Sequence, residues 1–220
     1  MIIVAGGSGT RMGAEIPKQF IELKGKPILM HTLQGFQEAD NAMELVLVLP
    51  SNQLELWKNL CHQHQFNVPH VIASGGKTRF LSVRNGLSKV ENSGLVGVHD
   101  GVRPFASSVL VKRCFEAAQR FGAAIPVTPV VQSLRKLSNT GNSTVNRSEY
   151  VQVQTPQCFQ SGILKTAFKN ADGIEFSDDA AVVEADGGTI TLVEGDLENI
   201  KITTRLDLEL ADLIITRRTV

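Results

Sequence analysis

Short apolar runs alternate with stretches of helical period along most of this chain. Ile2–Val4 predicts a buried strand that leads straight into the glycines Gly6, Gly7 and Gly9. Glu44–Leu49 is a second run of this kind, closed by Pro50, and Val68–Ala73, Leu95–His99, Ala123–Val127 and Thr189–Val193 follow. Between them the pattern shifts to a helical period. Pro27–Glu38 begins with a proline where a first-turn N–H is not needed. Asn52–Gln63 sets Leu54, Trp57 and Leu60 or Cys61 on one stripe. Thr78–Val90 does the same with Leu81, Val83, Leu87 and Val90, with Thr78 available as its cap. Ser107–Arg120 has Ser107 or Ser108 as its cap. Ser161–Asn170, Asp178–Ala185 and Asp207–Arg217 complete the helices, and Lys201–Thr203 reads as a short strand.

Strands alternating with helices predict an α/β fold, a mainly parallel Rossmann-like sheet with helices on both faces. Such sheets take ligands beyond the carboxyl ends of their strands. One segment breaks the alternation. Ser133–Gln154 is polar, carries the turn signal Asn139-Thr140-Gly141-Asn142 and alternates over Val151–Gln154. It predicts a projecting β-hairpin arm over residues 133–154 of a single domain spanning 1–220. A thin hairpin buries no core of its own, so the arm is expected to pack on a second subunit.

Composition narrows the partners. Lys plus Arg and Asp plus Glu both number 22, so the chain is neutral and any anion site must be built locally. Nucleic acid is not an expected partner. No apolar run approaches the ~20 residues of a membrane span, so no membrane partner is expected. The apolar start is too short for a signal sequence, and three scattered cysteines suit a reducing compartment. Together these predict a cytoplasmic location.

The glycines after the first strand suit backbone approach to phosphates. A dinucleotide pattern from Gly7 needs glycine at position 12, which is Met12, and a phosphate-loop lysine is missing at 13. Two cations follow instead, Arg11 and Lys18. Asp100 stands at the end of a strand, where a hard carboxylate suits Mg²⁺ beside phosphate oxygens. Cys61-His62-x-His64 lacks helical metal spacing, and no nucleophile elbow is present.

Ala5-Gly6-Gly7-Ser8-Gly9-Thr10-Arg11-Met12-Gly13 with Pro17-Lys18-Gln19-Phe20 resembles the signature of sugar-nucleotide pyrophosphorylases. Further matches follow in order along the chain: Gly75-Gly76 with Arg79 and Ser82, His99–Pro104, Asn146-Arg147, Gln154–Gln157, Ser177–Asp179 and Asn199–Thr203. Together they are similar to the small cytidylyltransferase branch, especially the 2-C-methyl-D-erythritol 4-phosphate cytidylyltransferases of non-mevalonate isoprenoid synthesis.

The resemblance implies CMP transfer from CTP to a small polyol phosphate, with pyrophosphate leaving. It implies catalytic roles for Arg11, Lys18 and Lys201, and nucleotide binding by Ala5, Gly6, Gly7, Gly9, Gly76, Ser82, Asp100, Gly101 and Lys201. Arg103, Ser133, Arg147, Thr155 and Ser177 would bind the acceptor, Asp100 would hold Mg²⁺, and the arm would cross to a partner in a homodimer. The chemistry fits these residue types. A phosphate monoester is largely a dianion at neutral pH, so the nucleophile needs no base, and catalysis reduces to alignment and charge stabilisation.

Some positions depart from the family pattern. Lys77 replaces an acidic residue at a ribose contact, Gln132-Ser133 replaces Asp-Thr, Ser177 replaces Thr, and Gly101 replaces alanine. Ribitol 5-phosphate is the alternative acceptor. A catalytically inactive nucleotide-binding paralogue is the alternative from another class, although the four charged catalytic and metal positions are all present.

Overall fold

In the computed structural model, residues 1–6, 16–91, 93–171 and 176–218 are described. The chain enters directly on β1 (Ile2–Val4). A two-stranded ribbon follows, β2 (Glu22–Leu23) and β3 (Lys26–Pro27), before α1 (Ile28–Ala39). The ribbon turns through Lys24 and Gly25 at φ 50° and 75°, the left-handed pair of a tight hairpin turn. β4 (Val46–Leu49), α2 (Leu54–Gln63), β5 (Val71–Ser74), α3 (Arg79–Leu87), β6 (Leu95–Asp100) and α4 (Ser108–Phe121) complete a run of strand–helix units. Then come β7 (Ala123–Pro129), β8 (Arg135–Ser138), β9 (Gly141–Thr144), β10 (Val151–Val153) and β11 (Gln157–Gln160). The chain closes with α5 (Ser161–Asn170), α6 (Asp179–Ala185), β12 (Thr191–Glu194) and α7 (Arg205–Arg218).

β1 lies between β4 and β6, and β5 flanks β4, all four parallel. β11 runs antiparallel between β6 and β7, and β12 pairs parallel with β7. The centre is buried on both faces, which is why its strands are apolar runs rather than alternating ones. Ile2 and Ile3 are both fully buried yet point into different layers. Ile2, Val46, Val48 and Val98 pack under α3, α5 and α6 with Val83, Leu164, Phe168 and Val182. Ile3, Leu47 and Leu49 pack under α1, α2 and α4 with Leu33, Phe36, Trp57 and Val111. The Thr78 and Ser107 hydroxyls accept from the N–H groups of Leu81 and Leu110, capping α3 and α4.

Two sequence expectations are corrected, and one strand was not anticipated. Val151–Gln154 is not part of the arm: β10 pairs antiparallel with β7, Val153 opposite Val127. The hairpin itself is β8 with β9, Arg135 opposite Thr144. Alternation over four residues signals a strand but not its partner. Lys201–Thr203 forms no strand; the Ile202 N–H donates to the Val102 carbonyl at 3.0 Å, and Thr203 and Thr204 are taken up by the start of α7. Gln157–Gln160, unmarked by the apolar pattern, is a central strand. Among the described residues no helix is long and apolar enough to cross a membrane.

Candidate active site

The carboxyl ends of β1, β5 and β6 open into one cleft of about 260 Å³, whose lining includes Ala5, Gly6, Lys18, Gly76, Ser82, Asp100 and Lys201. Asp100 ends β6, Ala5, Gly6 and Gly76 follow β1 and β5, Ser82 sits in the first turn of α3 and Lys201 precedes α7, the end of a parallel sheet where ligands are taken. A larger cavity of about 590 Å³ lies at the opposite strand ends, lined by Met1, Leu95, Val96 and Phe115. None of the cations of the cleft faces it.

The glycine wall is built tightly. A Cβ on Gly76 would lie 2.4 Å from the Leu81 Cβ, so only glycine fits that approach of the loop to α3. The Gly76 N–H donates to Ser82 Oγ at 3.0 Å, and Ser82 Oγ donates to the Thr78 carbonyl at 2.9 Å. Gly101 is tied to β1 through its N–H on the Val4 carbonyl at 2.9 Å. A Cβ there would meet the Ala5 Cβ at 2.8 Å, so Ala5 would have to shift to admit one. Beneath the cleft, Gln19 is fully buried and its Nε2 donates to the Ala5 carbonyl and to Gln53 Oε1, holding the end of β1.

Asp100 is the electrostatic centre. Lys201 Nζ lies 2.9 Å and Arg103 Nε 3.2 Å from its Oδ2, while Arg79 Nε stands 4.0 Å from Oδ1. Burial by itself disfavours the carboxylate, but Lys201, Arg79 and Arg103 outweigh it and hold Asp100 well below the usual carboxylate range. Arg79 is itself anchored by a two-pronged bond to the fully buried Asp179, at 2.9 and 2.6 Å. Gln157 fixes that partner: its Oε1 accepts the N–H groups of Asp179 and Ala180, and its Nε2 donates to Asp178. Beside Asp100, His99 is fully buried, and burial pushes its pKa down to about 4, so the ring is neutral near pH 7.

A sequence profile of the 2-C-methyl-D-erythritol 4-phosphate cytidylyltransferase family matches residues 1–217. The chain belongs to that family. A 2-C-methyl-D-erythritol 4-phosphate cytidylyltransferase of Bacteroides thetaiotaomicron is 51% identical over 215 residues, covering 98% of both chains. One from Clostridium perfringens is 39% identical over 216 residues, covering 96% of both. The crystal structure of the Thermus thermophilus enzyme of that name superposes with a TM-score of 0.81 at 36% identity, covering 98% of both chains. Membership makes the chain a nucleotidyltransferase, specifically a cytidylyltransferase of the non-mevalonate isoprenoid pathway.

The predicted positions divide into four groups. Ala5, Gly6, Lys18, Gly76, Ser82, Asp100 and Lys201 line one cleft, with Gly101 and Arg103 directly behind Asp100. Gly7, Gly9 and Arg11 lie outside the described residues. Ser133, Arg147 and Ser177 do not line the cleft; Arg147 is exposed and donates to the Val131 carbonyl just before the arm. Thr155 is buried, with Oγ1 bonded to the Asp100 N–H and to His99 Nδ1. Sequence reasoning quoted Arg79, Gln157, Asp179 and Asn199 as motif letters but gave them no role. Their signal was weak but present: polar residues set among apolar ones in segments that must be buried.

Proposed function

We propose that this chain transfers CMP from CTP to 2-C-methyl-D-erythritol 4-phosphate, giving 4-diphosphocytidyl-2-C-methyl-D-erythritol and pyrophosphate. The observation that carries the reading is the Asp100 cluster, one carboxylate ringed by Lys201, Arg103 and Arg79 at the end of a parallel strand. An acceptor phosphate oxygen attacks the α-phosphorus, the bond to the β-phosphate bridging oxygen breaks, and pyrophosphate carries the electron pair away. The acceptor arrives as an anion, so no proton has to be removed. The work of the protein is to align two anions and neutralise the charge that builds up between them.

In this reading Ala5, Gly6, Gly76, Ser82 and Gly101 form the wall against cytidine, narrow enough to exclude purines. Lys18, with Arg11, holds the triphosphate and the leaving pyrophosphate. Lys201 reaches the α-phosphate, exchanging its contact with Asp100 for a phosphate oxygen. Arg103, with Ser133, Arg147 and Ser177, addresses the acceptor. Asp100 suits a divalent cation such as Mg²⁺: it lines the cleft, with Arg79 Nε 4.0 Å from its Oδ1, and one hard carboxylate beside phosphate oxygens is what Mg²⁺ takes. Bound there, the ion would supply charge neutralisation on the phosphates.

The arm reading is part of the same proposal. All strand residues of β8 and β9 are exposed, and Leu137 and Val131 are 80% and 74% exposed. A homodimer in which each arm covers its partner explains those side chains and brings Ser133 and Arg147 to an acceptor. A cytoplasmic location agrees with the unpaired Cys61, Cys114 and Cys158.

Pyrophosphate release from CTP and Mg²⁺ tests the assignment, with methylerythritol 4-phosphate and ribitol 5-phosphate as parallel acceptors. Release with the first alone is expected. Release with ribitol 5-phosphate alone would overturn the acceptor, and silence with both would overturn the activity.

A further inference from the structure

Behind Asp100 lies a closed ring of hydrogen bonds that faces away from the cleft. Thr155 Oγ1 accepts the Asp100 N–H at 3.1 Å and lies 3.0 Å from His99 Nδ1. His99 Nε2 lies 2.9 Å from the Arg103 carbonyl oxygen. A carbonyl oxygen only accepts, so Nε2 carries the hydrogen, and Nδ1 is left to accept from the Thr155 hydroxyl. The Thr155 carbonyl then accepts from Asn199 Nδ2 at 2.8 Å, and the Asn199 carbonyl accepts from Arg103 Nη1 at 2.8 Å. Arg103 closes the ring on Asp100 through Nε at 3.2 Å. His99 and Asn199 are fully buried and Thr155 is 5% exposed, so water does not substitute for any of these bonds. Phe36 meets the imidazole edge-on, with ring centres 4.6 Å apart, which fixes the plane of the ring.

We propose that His99 is a positioning residue for the transfer reaction: bonded to Thr155 on one side and to the Arg103 carbonyl on the other, it fixes the Asp100–Arg103 turn. The turn decides where Asp100 and Arg103 present their charges, and Arg103 is also steered from its far end by Asn199. Both His99 nitrogens are committed inside the protein, so the ring is neither a base nor a ligand. The same geometry gives Thr155 a supporting role: its hydroxyl bonds on both sides within the fold rather than reaching an acceptor. The inference rests on nucleotidyl transfer at this cleft. A displacement of about 1 Å at such a site is enough to lower turnover about a hundredfold, and removing one ring member leaves its buried partners unpaired.

Thr155→Val keeps the side-chain shape and deletes the hydroxyl, Thr155→Ser restores it, and His99→Gln removes the imidazole. The expected result is a kcat for pyrophosphate release lowered about ten- to hundredfold in Thr155→Val and His99→Gln, with KM for CTP within about twofold of wild type. Ala5, Gly6, Gly76, Ser82 and Lys18, which make up most of the nucleotide site, lie outside the ring, so the loss falls on kcat rather than on KM. Thr155→Ser is expected to recover most of the loss. An active wild type with kcat within about twofold in both Thr155→Val and His99→Gln would overturn the positioning role and leave the transfer reading standing. So would Thr155→Ser no better than Thr155→Val. A wild type silent with CTP and both acceptors would instead overturn the transfer reading on which the inference depends. Nitrogen-15 NMR of the labelled wild-type imidazole decides independently of any variant's folding: His99 protonated at Nε2 and bare at Nδ1 supports the ring, and the opposite tautomer removes it.

Discussion

At the residue scale the site is an argument between burial and charge. Asp100 is only 9% exposed, yet three cations keep it ionised at the end of a parallel strand. Lys201→Ala and Lys18→Ala are each expected to lower kcat by about a hundredfold or more, the usual loss for a transition-state charge partner; steady-state pyrophosphate release measures it, and a variant within tenfold of wild type would reject the role. Arg79 makes a different prediction. Its removal in Arg79→Ala strands the buried Asp179 without its cation, which costs about 3–5 kcal/mol when a buried pair is broken. Urea denaturation should show that loss, and a change below about 1 kcal/mol would mean that Asp179 finds another partner or a proton. Asp100, Lys201 and Gly76 were legible in the sequence because their motifs are local. The Arg79–Asp179 pair was not, because its partners lie 100 residues apart and no periodicity links them.

At the scale of elements, helices were read more securely than strand pairings. α3 and α4 begin one residue after their capping hydroxyls, where local chemistry put them. Gly86, inside α3, shows a tertiary demand overriding local propensity. Alanine there would favour the helix by about 1 kcal/mol. However, its Cβ would stand 2.7 Å from Ile2 Cγ2 and 2.9 Å from Val48 Cγ2, and overpacking costs about 1–3 kcal/mol. Gly86→Ala is therefore expected to lower the melting temperature; an increase would show that the sheet gives way easily.

α7 has its own device. Asp207 accepts from the Thr203 N–H and Oγ1 and from the Thr204 N–H, at 2.8, 2.9 and 2.8 Å, while its N–H donates to Thr204 Oγ1. This is a reciprocal cap centred on Thr204, three residues beyond Lys201. Partial burial opposes ionisation of Asp207, and the bonds from Thr203 and Thr204 overcome it, so its pKa falls below the ordinary 3.8. A depressed carboxylate contributes stability that is full above 3.8 and is lost as pH falls through the lower folded value. The melting-temperature gap between wild type and Asp207→Asn should be constant near neutrality and shrink in acid below that value. A gap that widens in acid would contradict the sign.

For the whole molecule, one question is whether the arm works alone. A short hairpin with every strand residue exposed is marginal as an isolated unit, and Leu137 at 80% exposure is an apolar side chain in need of a cover. Leu137→Asp is expected to convert a sedimenting dimer into a folded monomer with weakened acceptor binding. A wild type that sediments as a fully active monomer would remove the crossed arm from the mechanism.

By itself the sequence determined the α/β alternation, the glycine wall, the strand-end carboxylate and most of the cations, because each is a local pattern with a local physical cause. Tertiary structure alone decided that β10 leaves the arm for β7, that Gln157–Gln160 is a central strand, and that His99, Thr155, Asn199 and Arg103 close a ring behind Asp100. Pairing and buried hydrogen bonding join residues far apart in the chain. Which donor meets which acceptor is settled only when the sheet has brought their segments together.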